Sequence, residues 1–115
     1  MIKIYHNPRC TKSRQGLEAV QKSGKKFEVV KYLENIPTKD ELRQVLGYLN
    51  MPAENLVRKN EVVWKENYRG KTLSEAEILE AMVEYPKLIE RPIVIKGNKA
   101  VIGRPVENIL ELLKD

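Results

Sequence analysis

MIKIYHNPRCTKSR, residues 1 to 14, decides how the rest of the chain is read. Residues 2 to 5 (IKIY) alternate as a short strand, Asn7-Pro8 punctuates it, and helix formers run from about residue 10 to residue 23, with a stop at Gly24. FEVVKYL, residues 27 to 33, reads as a second strand. Strand, helix and strand with short connections favour a parallel pair with a right-handed crossover, because that hand lets the helix pack back onto the sheet. Cys10 then falls where the first strand feeds the first helix.

Moving outward, Thr38 with Glu41 three residues on forms a capping box, and Leu42, Val45, Leu46 and Leu49 keep helical spacing behind it. Ser74 with Glu77 opens a second helix, whose Ile78, Leu79, Met82 and Val83 make one face and whose Glu75, Glu80 and Glu84 read as its solvated side. Between them, a short helix is expected near residues 52 to 57, followed by loop. RPIVI (91 to 95) and KAVIGRP (99 to 105) read as strands joined by the two-residue hairpin signal Gly97-Asn98. Pro105 suits the first turn of a final helix with Val106, Ile109, Leu110 and Leu113 facing inward. An N-terminal βαβ unit and a C-terminal ββα unit around helical material make an α/β thioredoxin-like arrangement with an enlarged helical insertion. A single domain over residues 1 to 115 is the natural reading of this length.

With one cysteine in the whole chain no internal disulfide can form, and redox chemistry would need a sulfur from outside. No apolar signal region opens the sequence, and no apolar stretch approaches the ~20 residues needed to cross a bilayer. A soluble cytoplasmic protein, and a monomer, is expected. The net charge of +5 is uneven: residues 1 to 31 hold eight Lys or Arg against two acids, and residues 32 to 115 hold thirteen against fourteen. Basic charge gathered around a lone thiol fits a small anionic substrate, whereas nucleic acid would call for a longer basic stripe or a recognisable module. One Cys and one His offer no metal-ligand spacing.

A free thiol has a pKa near 8.5 and is only about 3 percent thiolate at neutral pH, while helix N-termini and neighbouring cations depress that pKa. A fall of about 2 units is ~2.7 kcal/mol in favour of the thiolate. Cys10 has both devices on offer: a helix start, whose N–H groups also seat oxyanions, and the cations Arg9, Lys12 and Arg14. The competing reading of a lone cysteine is a small buried hydrophobe, and for Lys12 a solvated helix-start lysine. Ser13 stands in a CxxS spacing from which its hydroxyl could donate to the thiolate. His6, the only histidine, either tunes the thiol and shuttles a proton or is a half-exposed residue ending a strand. Arg58, Arg91 and Arg104 lie in the settings LVRKN, ERPIV and GRPVE, although spacing alone makes such arginines surface residues.

Taken in order, YHNPRCTKSR, YLENIPT, LVRKN, LIERPIVI and IGRPVE resemble the glutaredoxin-coupled arsenate reductase family along essentially the full chain. The resemblance implies Cys10 as nucleophile, with His6 and Ser13 assisting the thiol. It implies Arg58, Arg91 and Arg104 as the guanidiniums that hold arsenate and its reduced product, and Pro92 as a cis-proline facing the cysteine. It further implies glutathione as co-substrate and glutaredoxin as partner, with no tightly bound cofactor. The best-known members carry Gly-Thr where this chain has Thr11-Lys12, which adds a side chain and a charge beside the anion seat. Two other functions fit the same fold: an Spx-type regulator that binds RNA polymerase, whose common CxxC switch Ser13 forbids, and a glutathione-dependent thiol transferase, which CxxS suggests.

Overall fold

Ile2 and Ile4 point from one side of a four-residue strand, β1 (Ile2–Tyr5), into a core of Val20, Val94, Ile109 and Leu113. The computed structural model describes residues 1–114, and chain contacts divide it into two compact units. The first unit takes residues 1–35 and those from 91 onward. It contains α1 (Thr11–Lys22), β2 (Phe27–Val30), β3 (Ile93–Lys96), β4 (Lys99–Ile102) and α6 (Glu107–Leu113). Its sheet runs in the order β2-β1-β3-β4, with β1 parallel to β2 and antiparallel to β3. This is the thioredoxin-like α/β arrangement that the element order implied.

Helices α1 and α6 cover the face carrying Ile2, Ile4 and Val94, where Val20 and Ile109 are fully buried. Burial of one such side chain contributes roughly 1.5–3 kcal/mol. Two glycines permit the close approach: a Cβ on Gly16 of α1 would stand 2.7 Å from Pro92 Cγ and 2.9 Å from Ile109 Cδ1, and one on Gly103 would stand 2.5 Å from Ile109 Cδ1 and 2.8 Å from Pro92 Cγ. The Pro92 ring is therefore wedged between α1 and the chain leaving β4.

The second unit, Ile36–Glu90, is the helical insertion. It holds α2 (Lys39–Leu49), α3 (Ala53–Leu56), α4 (Val62–Asn67), α5 (Glu75–Glu84) and a 3₁₀ turn, Pro86–Leu88. Both capping boxes form: the Thr38 and Ser74 hydroxyls accept from the backbone N–H of Glu41 and Glu77, and those carboxylates accept from the backbone N–H of Thr38 and Ser74. Glu75 and Glu80 are not simply solvated. The Glu75 carboxylate accepts the Ala53 N–H at 2.9 Å and so caps α3, and Glu80 pairs with Lys39 at 3.0 Å.

The boundaries differ from the sequence reading in ways with local causes. β2 stops at Val30 because β1 ends opposite it at Tyr5, and the chain then turns through Lys31, whose carbonyl accepts from Glu34 and Asn35. β3 begins only after Pro92, which has no N–H to offer a ladder. β4 ends at Ile102, where the Gly103 N–H is taken by the Pro92 carbonyl at 2.8 Å. Pro105 is not in the last helix; it precedes the Val106 cap, and the Arg104–Pro105 peptide is cis. The expected loop after Val57 contains α4, with Trp64 buried and its ring 5.0 Å from that of Tyr68. Gly97 begins the β3–β4 turn with φ 63° while Asn98 keeps a negative φ, the pattern of a two-residue hairpin turn with glycine first.

Candidate active site

Three backbone devices bring Cys10 into place. The Asn7 carbonyl accepts the Cys10 N–H at 3.0 Å, and the Asn7 side-chain oxygen accepts the Arg9 N–H at 3.0 Å. Cys10 itself takes the extended conformation of a helix cap (φ −100°, ψ 122°), and its carbonyl receives the Arg14 N–H at 2.9 Å. Asn7 thus locks the turn between β1 and α1; the Asn-Pro pair marked a turn in the sequence without revealing this role. No acid sits in the first turn of α1, so no carboxylate competes with the sulfur for the helix-start N–H groups.

Burial, the largest influence on the Cys10 thiol, pushes its pKa up. The backbone N–H of Ser13, a hydrogen bond from Arg91, and the charges of Arg91 and Arg104 outweigh it, so the thiol lies below its ordinary value. The sulfur closes no cap hydrogen bond of full geometry, but the Ser13 N–H still favours the negative form. Arg104 Nη2 donates to Sγ at 3.2 Å, while its Nε donates to the Arg91 carbonyl at 2.7 Å. The cations that acidify the sulfur are thus not its sequence neighbours. Arg9 and Lys12 are exposed, and Arg14 folds back onto the Pro8 carbonyl at 2.8 Å and the Thr11 hydroxyl at 3.2 Å. Water screens such charges.

The β3–β4 hairpin delivers both effective arginines together. Ile93 pairs with Ile102, so Arg91 and Arg104 leave the same end of the hairpin, each two residues beyond that pair. Pro92 follows Arg91 through a cis peptide.

Ser13 does not spend its hydroxyl on the sulfur. Fully buried, its Oγ accepts the Asn7 N–H at 2.9 Å and lies 2.7 Å from His6 Nδ1. A hydroxyl oxygen has two lone pairs, so it serves the Asn7 N–H and the imidazole together, and the contact joins His6 to the turn that carries Cys10. His6 is 5% exposed rather than half-exposed. Burial lowers its pKa, the Ser13 hydrogen bond opposes this, and the positive charges of Lys31 and Arg14 lower it further. The net result places the His6 pKa below its ordinary value.

Arg58 belongs to the other unit and is far from a plain surface arginine. Its side chain, 14% exposed, lies 3.2 Å from Glu61 and 3.1 Å from Glu90. Backbone bonds brace the pair: the Arg58 N–H donates to the Leu88 carbonyl at 2.7 Å, and the Glu90 N–H donates to that of Leu56 at 3.0 Å. Among the described residues no group of three His, Cys, Asp or Glu could hold a metal ion, and no helix is long and apolar enough to cross a membrane.

The sheet order, the cis-proline after Arg91 and the thiol flanked by guanidiniums at the head of α1 define a thioredoxin-like protein of the thiol-at-helix-start type. The sequence profile of the ArsC family matches residues 5–112, and the chain belongs to that family. It is 47% identical to YfgD, an uncharacterised protein of Escherichia coli strain K12, over 97% of this chain and 96% of that one. It is 40% identical to an arsenate reductase of Neisseria meningitidis serogroup B, over 97% of each chain. A solved arsenate reductase from Vibrio cholerae superposes with a TM-score of 0.91 at 41% identity, covering 96% of this chain and 95% of that one.

Proposed function

We propose that this protein reduces arsenate to arsenite through Cys10. The observation that carries the reading is the Arg104 guanidinium 3.2 Å from a thiol of lowered pKa, with Arg91 bonded to the same sulfur. Relatives named arsenate reductase at 36–40% identity support the substrate.

The Cys10 thiolate attacks arsenic and displaces a hydroxide, which leaves as water after taking a proton; the guanidiniums offset the charge on the remaining oxygens. A glutathione thiol gives up its proton and attacks the Cys10 sulfur of the adduct, so that the S–S bond forms as the S–As bond breaks and its electron pair stays on arsenic. The two sulfurs supply the two electrons that convert As(V) to As(III), arsenite departs, and Cys10 is left in a mixed disulfide with glutathione. A glutaredoxin thiol takes over the glutathionyl group and returns Cys10 to its reduced state. The chain's single thiol is the reason for an external reductant. His6, its pKa lowered chiefly by burial, is available to carry a proton, and the Ser13 hydroxyl 2.7 Å from Nδ1 holds the ring in place. A cytoplasmic monomer acting on a small anion, without nucleic acid, fits this chemistry.

The role of Arg58 as a third guanidinium on the oxyanion rests on the family resemblance. Its planar fork is not replaceable by an ammonium, so Arg58→Lys should lose activity with charge retained. The central test is arsenite release by purified protein given glutathione and glutaredoxin. Turnover that disappears in Cys10→Ala supports the proposal; release no faster than the protein-free control overturns it.

A further inference from the structure

Arg104 reaches the sulfur from an awkward base. The segment between β4 and α6 passes through Gly103, where a Cβ would collide with Ile109 and Pro92, so the close packing excludes any larger residue. Glycine is also the residue that loses most freedom when ordered. The far end of the Arg104 side chain is held by the Arg91 carbonyl, but a long side chain aims accurately only if its backbone is fixed as well.

Asn108, in the first turn of α6, supplies that fixation. Its side-chain Nδ2 donates to the Ile102 carbonyl at 3.0 Å and to the Arg104 carbonyl at 3.4 Å, on either side of Gly103. Its backbone N–H donates to the Pro105 carbonyl at 3.0 Å. One residue therefore binds three carbonyls, those of Ile102, Arg104 and Pro105, around the turn that carries Arg104. We infer that Asn108 is a positioning residue for the thiol site: by bridging the carbonyls of Ile102 and Arg104 it holds Arg104 where its guanidinium donates to Cys10. Asn108 does not touch the reacting sulfur and acts only through the arginine. The inference rests on Cys10 working as a thiolate beside Arg104, and stands or falls separately from arsenate as substrate.

The experiment is a double-mutant cycle on thiol ionisation. Absorbance at 240 nm is followed against pH, with iodoacetamide alkylation at neutral pH as a second readout, for wild type, Asn108→Ala, Arg104→Gln and the double variant. Asn108→Ala should raise the pKa of Cys10 and slow alkylation about two- to fivefold, as expected when a hydrogen-bonded restraint is lost. In the Arg104→Gln background the same change should have no further effect. Asn108→Ser, which keeps one donor but cannot span both carbonyls, should fall between wild type and alanine, and serves if the alanine variant folds poorly. An unaltered thiol in Asn108→Ala, or an equal shift with and without Arg104, overturns the assignment.

Discussion

His6 Nδ1 and Ser13 Oγ lie 2.7 Å apart in a buried site where the same oxygen also accepts the Asn7 N–H. Two residues that the sequence places beside the lone thiol are thus bonded first to each other and to the loop. Each has a consequence for stability that can be measured apart from catalysis.

The first concerns acid. Burial lowers the pKa of His6 in the folded protein, so the unfolded chain binds this proton at a higher pH than the folded one. The stabilisation is complete above about pH 6.5, the unfolded value, and is lost as pH falls from there through the folded pKa. Urea midpoints should therefore drop for wild type between pH 7.5 and 5.5, and drop less for His6→Gln. Equal losses in the two proteins would remove His6 as the cause.

Ser13→Ala leaves the Asn7 N–H and His6 Nδ1 without their shared partner but keeps the backbone N–H that faces the sulfur. Stability should fall by about 1–3 kcal/mol, the range for an orphaned buried polar group, while thiol ionisation shifts less than in Arg104→Gln. Thermal unfolding and absorbance at 240 nm separate these effects. A thiol shift as large as that of Arg104→Gln would restore a direct role for the hydroxyl.

Arg104 and Arg91 both lower the Cys10 pKa by charge, and Arg91 also by a hydrogen bond. Arg104→Gln and Arg91→Gln should each move the alkylation profile toward higher pH. Lys12→Gln, at an exposed neighbour, should leave it nearly in place. A profile governed by Lys12 instead would mean that the local sequence, not the hairpin, sets the acidity.

Two glycine-to-alanine changes should act in opposite directions although both lie in helices. Gly16→Ala meets Pro92 and Ile109 at under 3.0 Å and should cost about 1–3 kcal/mol through overpacking. Gly47→Ala in α2 meets nothing within 4 Å and should gain about 0.5–1 kcal/mol from helix propensity. Chemical denaturation of both variants checks the pair, and a stabilised Gly16→Ala would contradict the wedge at Pro92.

The strands, the two capping boxes and the placement of Cys10 were legible because they follow from short-range signals: alternation, a Thr or Ser followed by Glu, an Asn-Pro break. α4 was not, since Val62, Val63 and Trp64 offer poor helix propensity and Glu61 provides no side-chain cap; its helix goes with tertiary burial of Trp64. The source of the thiol's acidity also escaped local reading. Arg9, Lys12 and Arg14 are conspicuous in the sequence, yet the interactions that count come from a hairpin 80 to 95 positions away. That hairpin's own signal, Gly97-Asn98, predicted its turn but not where its flanking arginines point. Glu75 shows the same limit, because an acid on a helix gives no sign that it caps a neighbouring helix 22 residues earlier.

Arg104 and Cys10 are separated by 94 positions, and this bears on the life of the protein before it is finished. During synthesis the N-terminal strand and helix emerge long before the hairpin, so a nascent chain exposes its sulfur without the guanidiniums that acidify it. The thiol of a half-made chain should be correspondingly sluggish toward oxidants, with full reactivity arriving when the C-terminal segment docks. Alkylation of Cys10 on ribosome-stalled chains of increasing length would time that awakening residue by residue.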